Sequence, residues 1–181
     1  MLHPRHWDAA LFHRIGRLPT TPADRWLRRL SIIADHGKLW VLIAALLALQ
    51  SGRLRRAALR GLGSMAVSSV LVNAVVKRVF RRVRPDAATV QVERTLHRAP
   101  HTSSFPSGHS ASAAAFTTGV ALESPVTGAL LAPLALGVGW SRVHVGVHYP
   151  GDVVAGMAFG WGIALASQRW RRVRRCEPAS T

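Results

Sequence analysis

Five apolar stretches without a lysine or arginine, set between clusters of arginine, constrain this chain more than any other feature. They are residues 39–50 (LWVLIAALLALQ), 61–76 (GLGSMAVSSVLVNAVV), 111–122 (ASAAAFTTGVAL), 125–140 (PVTGALLAPLALGVGW) and 153–166 (VVAGMAFGWGIALA). A membrane-spanning helix needs about 20 mostly apolar residues. Each run falls short alone and reaches that length with its flanks, as from Ala57 to Val76 across Arg60. A soluble all-α protein with fully buried helices is the alternative. Small residues favour the membrane: Gly156 and Gly160 form a GxxxG, and SGHSASAAAF lets backbones approach closely. Trp40, Trp140 and Trp170 lie at run ends, where interfacial indoles are expected. The expected fold is an all-α integral membrane bundle of about five to six helices, with residues 36–168 as the transmembrane domain.

Residues 1–35 read differently. Trp7, Leu11, Phe12, Ile15 and Leu18 recur at helical spacing, and Thr21-Pro22 offers an N-cap followed by proline at the first helical position. Trp26, Leu27, Leu30 and Ile33 then form a second apolar stripe beside Arg25, Arg28 and Arg29. Two N-terminal amphipathic helices are expected, lying on the membrane surface or packed on the bundle as a hairpin. Residues 169–181, from RWRRVRRC onwards, are expected to be a basic C-terminal tail attracted to anionic lipid.

The charge points to a polyanionic partner. Lys+Arg number 24 against 8 Asp+Glu, a formal net charge of +16. Only Lys38 and Lys77 are lysines, and arginine suits phosphate and bilayer headgroups at least as well as nucleic acid. Lipid phosphate and membrane lipids are therefore the expected partners, and nucleic acid is not. Cys176 stands alone, which excludes an internal disulfide and a cysteine-based metal site. The first residues, MLHPRHWDAALFHR, hold no uninterrupted apolar core, so no cleavable export signal is expected.

Three polar constellations interrupt the apolar runs. In KRVFRRVRP (77–85), Lys77 and Arg84 are seven apart, the spacing of one helix face, and Pro85 puts Arg84 at a helix end facing a loop. Arg78, Arg81 and Arg82 read as headgroup contacts. In FPSGHSAS (105–112), Ser107 is a candidate N-cap and Gly108 removes a side chain at a helix start that favours an anion. His109 stands in the first turn. In SRVHVGVHYPGD (141–152), Arg142 adds a cation. His144 and His148 are four apart, as are His148 and Asp152. A carboxylate on one imidazole nitrogen leaves the other free as base, nucleophile or ligand. If each apolar run crosses once, parity brings all three constellations to one membrane face.

In this order the three constellations resemble the type 2 phosphatidic acid phosphatase (PAP2) family. That family carries K-x6-RP, PSGH and SR-x5-H-x3-D. All three match here, from Lys77 to Asp152. The resemblance implies a metal-independent lipid phosphatase without cofactor. His148 would attack phosphorus, His109 would be the general acid, and Asp152 would orient His148. Lys77, Arg84, Ser107, Gly108 and Arg142 would bind phosphate. It favours a polyprenyl phosphate or diphosphate, with phosphatidate or phosphatidylglycerophosphate as further substrates. His144 lies outside the pattern and is given no role.

Two other classes compete. A zinc hydrolase would use His109, His144, His148 and Asp152 as ligands, but crowded cations oppose a divalent metal. A non-catalytic anionic-lipid-binding membrane protein accounts for the charge but not for His148 beside Asp152. Small size and heavy arginine use suggest a bacterial inner-membrane protein. Arg53, Arg55, Arg56, Arg60 and the tail put that side in the cytoplasm and the active site on the extracytoplasmic face. Arg78, Arg81, Arg82, Arg94 and Arg98 oppose this count.

Overall fold

A computed structural model of the protein describes residues 5–96 and 102–176; Arg98 and residues 177–181 of the basic tail lie outside the described residues. Seven α-helices account for the described chain: α1 (His6–Gly16), α2 (Pro22–Ile33), α3 (Lys38–Ala48), α4 (Arg53–Val79), α5 (Gly108–Ala121), α6 (Pro125–His144) and α7 (Pro150–Cys176). The all-α expectation is met.

The bundle is organised around α5, which packs against α4, α6 and α7. Its sequence GHSASAAAFTTGVA is apolar or small all the way round, the pattern of a helix with no solvent face. Ala111, Ala113, Ala115, Phe116 and Val120 are all fully buried. Glycines on its neighbours make the contact close: a Cβ at Gly156 or Gly160 would run into the carbonyl oxygens of Ser107 and Ala111, respectively. The GxxxG read from the sequence is thus the face on which α7 meets α5.

Two unbroken helices among the described residues are long and apolar enough to cross a membrane, Arg53–Val79 and Pro125–His144. The pair α2 and α3 would be a third span, bent by 62° at its break. The runs at 39–50 and 111–122 lie on shorter helices. α5, with 14 residues, is about 21 Å long against a hydrocarbon core of about 30 Å. It is sheltered by its neighbours rather than spanning alone.

Within α4, Leu71–Val76 is π-helical, and Asn73 Nδ2 donates to the Ser69 carbonyl at 2.9 Å. Such widened turns recur at functional sites. Helical geometry stops at Val79, and Phe80 already has φ −99°, ψ 83°. Lys77 and Arg84 therefore do not share a helix face as their spacing suggested; the helix ends at Val79, five residues before Arg84.

The N-terminal helices pack on the bundle, α1 against α6 and α7 and α2 against α6. Thr21 is the N-cap expected before Pro22, and Asp24 closes the cap, with Thr21 N donating to Asp24 Oδ2 at 3.1 Å. Phe12 and Ile15 bury against Val90, Val143, Tyr149 and Val153. Trp7, Leu11, Leu18 and Trp26 stay exposed. Trp40 is a correction. Instead of lying at an interface it is 1 % exposed, 5.3 Å from the Phe116 ring, because the first turn of α3 leans inward on the core. Trp140 is 44 % exposed, as expected; the side chain of Trp170 lies outside the described residues.

Candidate functional site

The start of α5 anchors the site. Ser107 is its N-cap, accepting from Ser110 N at 3.4 Å and from Ser110 Oγ at 2.9 Å. Ser107 N donates to the Asp152 carbonyl at 2.9 Å, so the second and third constellations are joined through backbone. The first arrives beside Gly108: a Cβ there would stand 3.5 Å from Lys77 Nζ, so the ammonium lies against the helix start. Free N–H groups at such a start attract an anion.

Arg84 reaches the same place from an extended segment. Its Nε donates to Thr102 O at 2.8 Å, Nη1 to Val147 O at 2.7 Å, and Nη2 to Thr102 Oγ1 at 3.2 Å. These bonds fix the guanidinium in a plane, and Nη1 lies 3.5 Å from His148 Nε2. Arg142, 1 % exposed, donates from Nη1 to Ser31 Oγ at 2.5 Å and stands 3.7 Å from Asp35. Its carbonyl accepts from both Val147 N and His148 N at 3.2 Å, which pins the loop carrying His148 to the end of α6.

His148 is 2 % exposed, between a carboxylate and a cation. Nδ1 faces Asp152 Oδ2 at 3.6 Å, just beyond hydrogen-bonding reach, and has no other partner. Nε2 faces Arg84. Asp152 is held on both oxygens: Oδ2 accepts from Tyr149 N at 2.9 Å and Oδ1 from Arg82 Nη1 at 2.5 Å. Arg82 Nη2 donates to Asp8 of α1 at 2.5 Å, and Asp8 also accepts from Gly151 N at 2.8 Å. The headgroup role expected for Arg82 is therefore corrected. Buried carboxylates on two sides hold it inside, and its charged form is reinforced.

Electrostatics follow from burial and neighbours. Loss of solvation, aided by Arg84 and Arg142, pushes the His148 pKa down to about 3 although Asp152 favours the charged form. The ring is therefore neutral at ordinary pH, with a lone pair available on Nε2 if Nδ1 carries the proton toward Asp152. Burial also lowers the Arg84 pKa, and burial of Arg82 is outweighed by Asp8 and Asp152, which raise its pKa.

Two cavities meet at Lys77 and Asn73. One, of about 460 Å³, continues along His36, Ser69, Gly108, His109 and Ser112. The other, of about 680 Å³, continues along Arg78, Arg81, Arg84 and Thr102. The eight sequence-selected residues are linked by these contacts: Ser107 N to the Asp152 carbonyl, Gly108 beside Lys77, Arg84 beside His148, and Arg142 and His109 through Asp35. The histidines fall into separate pairs: His109 with Asp35, His144 with Asp24, His148 with Asp152. Among the described residues, no three His, Cys, Asp or Glu side chains form a group able to hold a metal ion.

Residues 57–176 match the model of the PAP2 superfamily. The chain is 37 % identical over 156 residues to the decaprenylphosphoryl-5-phosphoribose phosphatase of Mycobacterium tuberculosis, covering 84 % of this chain and 80 % of that one. This chain belongs to the PAP2 superfamily. The lipid A 1-phosphatase of Rhizobium etli is 38 % identical over 107 residues, 56 % of this chain and 45 % of that one. The crystal structure of a transmembrane PAP2 type phosphatidylglycerolphosphate phosphatase from Bacillus subtilis superposes with TM-score 0.71 at 22 % identity, over 96 % of this chain and 88 % of its own. Aquifex aeolicus LpxE gives 0.72 at 23 %, over 91 % and 96 %. Both are likenesses of fold.

Several residues outside the PAP2 motifs complete the site: Asp8, Ser31, Asp35 and Arg82. One signal pointed to the carboxylates. A chain with 8 acidic residues against 24 basic ones places few of them idly. Asp24 and Arg94 form a further buried pair at 3.1 Å, with His144 Nε2 2.9 Å from Asp24 Oδ1. That explains His144 as a support of α2, apart from the phosphate.

Proposed function

We propose that this membrane enzyme removes the terminal phosphate of a polyprenyl-linked phosphate or diphosphate through a phosphohistidine on His148, without metal or cofactor. The observation that carries the reading is His148 itself. It is neutral and buried, with Nδ1 turned to Asp152 and Nε2 3.5 Å from the Arg84 guanidinium that would hold the phosphate.

Lys77, Arg84, Arg142 and the start of α5 at Ser107 and Gly108 bind the phosphoryl oxygens and spread the charge of the transition state. His148 Nε2 attacks phosphorus, and Asp152 steadies the ring as it becomes cationic. His109 protonates the leaving oxygen, then takes a proton from the water that releases phosphate from His148. Such acid–base help contributes about 10² to 10⁴ in rate. Four cationic or N–H groups around one anion supply what a metal would otherwise supply. The relatives support the polyprenyl preference: the M. tuberculosis protein is named for a decaprenylphosphoryl sugar phosphate, and a Sulfolobus acidocaldarius relative, 33 % identical over 141 residues, for an undecaprenyl diphosphate.

We assign the chain to the inner membrane, with the site on the extracytoplasmic face. Arg53, Arg55 and Arg56 stand at one end of α4 and Lys77 near the other, about 35 Å away along a 27-residue helix. Arginines at a cytoplasmic end are the usual arrangement.

Phosphate release from detergent-solubilised protein tests this, wild type beside His148→Ala. The substrates are polyprenyl diphosphate, polyprenyl phosphate, phosphatidate and phosphatidylglycerophosphate, each with and without EDTA. Release that survives EDTA and falls to background in the variant is expected. Release lost on chelation would move the case to a metal hydrolase.

A further inference from the structure

Asp35 belongs to none of the three motifs, yet its Oδ1 lies 2.7 Å from His109 Nε2 and 3.7 Å from Arg142 Nη1. It sits in the one-turn elbow between α2 and α3. There His36 at φ 56° and Gly37 at φ 74° are successive left-handed residues that bend the chain. Left-handed backbone is rare for any residue but glycine, so the elbow is a specific conformation. Ala34, His36 and Gly37 of this elbow line the same cavity as Lys77, Gly108 and His109. The bend of 62° in the α2–α3 pair is thus where a carboxylate enters the site.

We propose that Asp35 is a positioning residue for His109, holding its Nε2–H so that Nδ1 is the atom that passes the proton. This rests on the reading of His109 as the general acid. An ionised carboxylate only accepts hydrogen bonds, so Nε2 must carry hydrogen and Nδ1 must face the other way. Protonated His109 gives its Nδ1 hydrogen to the leaving oxygen as the P–O bond breaks and that bond's electron pair passes to the oxygen. The neutral ring then accepts a proton from water at Nδ1 while the water oxygen bonds to phosphorus. The P–N bond electrons return to His148 Nε2. Burial of the ring opposes the positive charge of His109 most, and Arg142 and Lys77 add to this; Asp35 offsets them, with His36 on the same elbow. The molecule thereby holds two Asp–His pairs with opposite tasks: Asp152 serves a ring that must stay neutral, and Asp35 one that must become charged.

The test compares two leaving groups in purified full-length protein. Phosphatidate expels an alkoxide that needs a proton, and p-nitrophenyl phosphate expels a stable phenolate that does not. Asp35→Asn should lower kcat on phosphatidate by about 10²-fold and on p-nitrophenyl phosphate by less than about tenfold. In a His109→Ala background, Asp35→Asn should cost nothing more. Asp35→Glu should restore part of the phosphatidate rate. Equal losses on both substrates, no loss on either, or a further loss in the double variant would overturn the proposal. Failure of both Asp35→Asn and Asp35→Glu to fold would also overturn it, by making Asp35 a residue of the fold. A folded wild type inert toward both of these substrates and toward polyprenyl phosphate and diphosphate would overturn the phosphatase reading itself, and this role with it.

Discussion

Arg82 Nη1 donates to Asp152 at 2.5 Å, while Nη2 of the same guanidinium donates to Asp8 at 2.5 Å. One buried cation therefore ties the first helix of the chain to the carboxylate behind His148. The Arg82 guanidinium also lies over the Tyr149 ring, 4.6 Å from its centroid. Removing the arginine strands two buried carboxylates, a change that costs about 3–5 kcal/mol. Arg82→Ala should lower the thermal midpoint steeply and depress kcat together. Arg78→Ala, at an exposed position on the same segment, should stay within about 0.5 kcal/mol of wild type. Equal, small effects in thermal unfolding would show that the Asp8–Arg82–Asp152 bridge contributes nothing.

The pH dependence of stability follows from His148. Its folded pKa is lowered to about 3, chiefly by burial, against an unfolded value of about 6.5. Between those values the unfolded chain binds the proton and the folded one does not. Its contribution to stability is therefore complete above about pH 6.5 and declines as pH falls toward 3. His148→Gln should flatten the fall in thermal midpoint between about pH 6.5 and 4.5. An unchanged slope in the variant would mean that His148 is not held neutral by the fold.

Close packing of α7 on α5 makes a third, independent prediction. A Cβ at Gly156 meets the Ser107 carbonyl and one at Gly160 meets that of Ala111, whereas nothing lies within 4 Å of a Cβ at Gly162. Overpacking of this kind costs about 1–3 kcal/mol, so Gly156→Ala and Gly160→Ala should both destabilise. Gly162→Ala, which removes an exposed helical glycine, should be neutral or gain up to about 1 kcal/mol. Gly156→Ala should also lower kcat/KM more than Gly160→Ala, because it displaces the N-cap of the helix proposed to bind phosphate. Comparison of unfolding midpoints and initial rates for the three variants checks both statements.

What the sequence made legible and what it hid differ by range. The helices were readable because apolar runs and arginine clusters alternate along the chain. The residues of the proposed phosphate site were readable because they come in short, fixed spacings, such as His148 to Asp152. Trp40 was misjudged, since its position at a run end says nothing about which way the helix leans. Arg82 was misjudged because its partners stand 70 and 74 residues away, and no local spacing encodes such pairs. Asp35 was hidden for the same reason: its contact with His109 spans 74 residues and depends on an elbow formed by His36 and Gly37.

The measurement that tests the central claim most directly is rapid acid-free quenching of the enzyme during turnover of a phosphate-labelled substrate. Label on the protein would then be located by proteolysis and mass spectrometry. The account predicts a base-stable, acid-labile phosphoryl group on His148, present in wild type, accumulating in His109→Ala when the substrate is p-nitrophenyl phosphate, whose leaving group needs no proton, and absent from His148→Ala. Turnover without any labelled protein, or label on a residue other than His148, would contradict it.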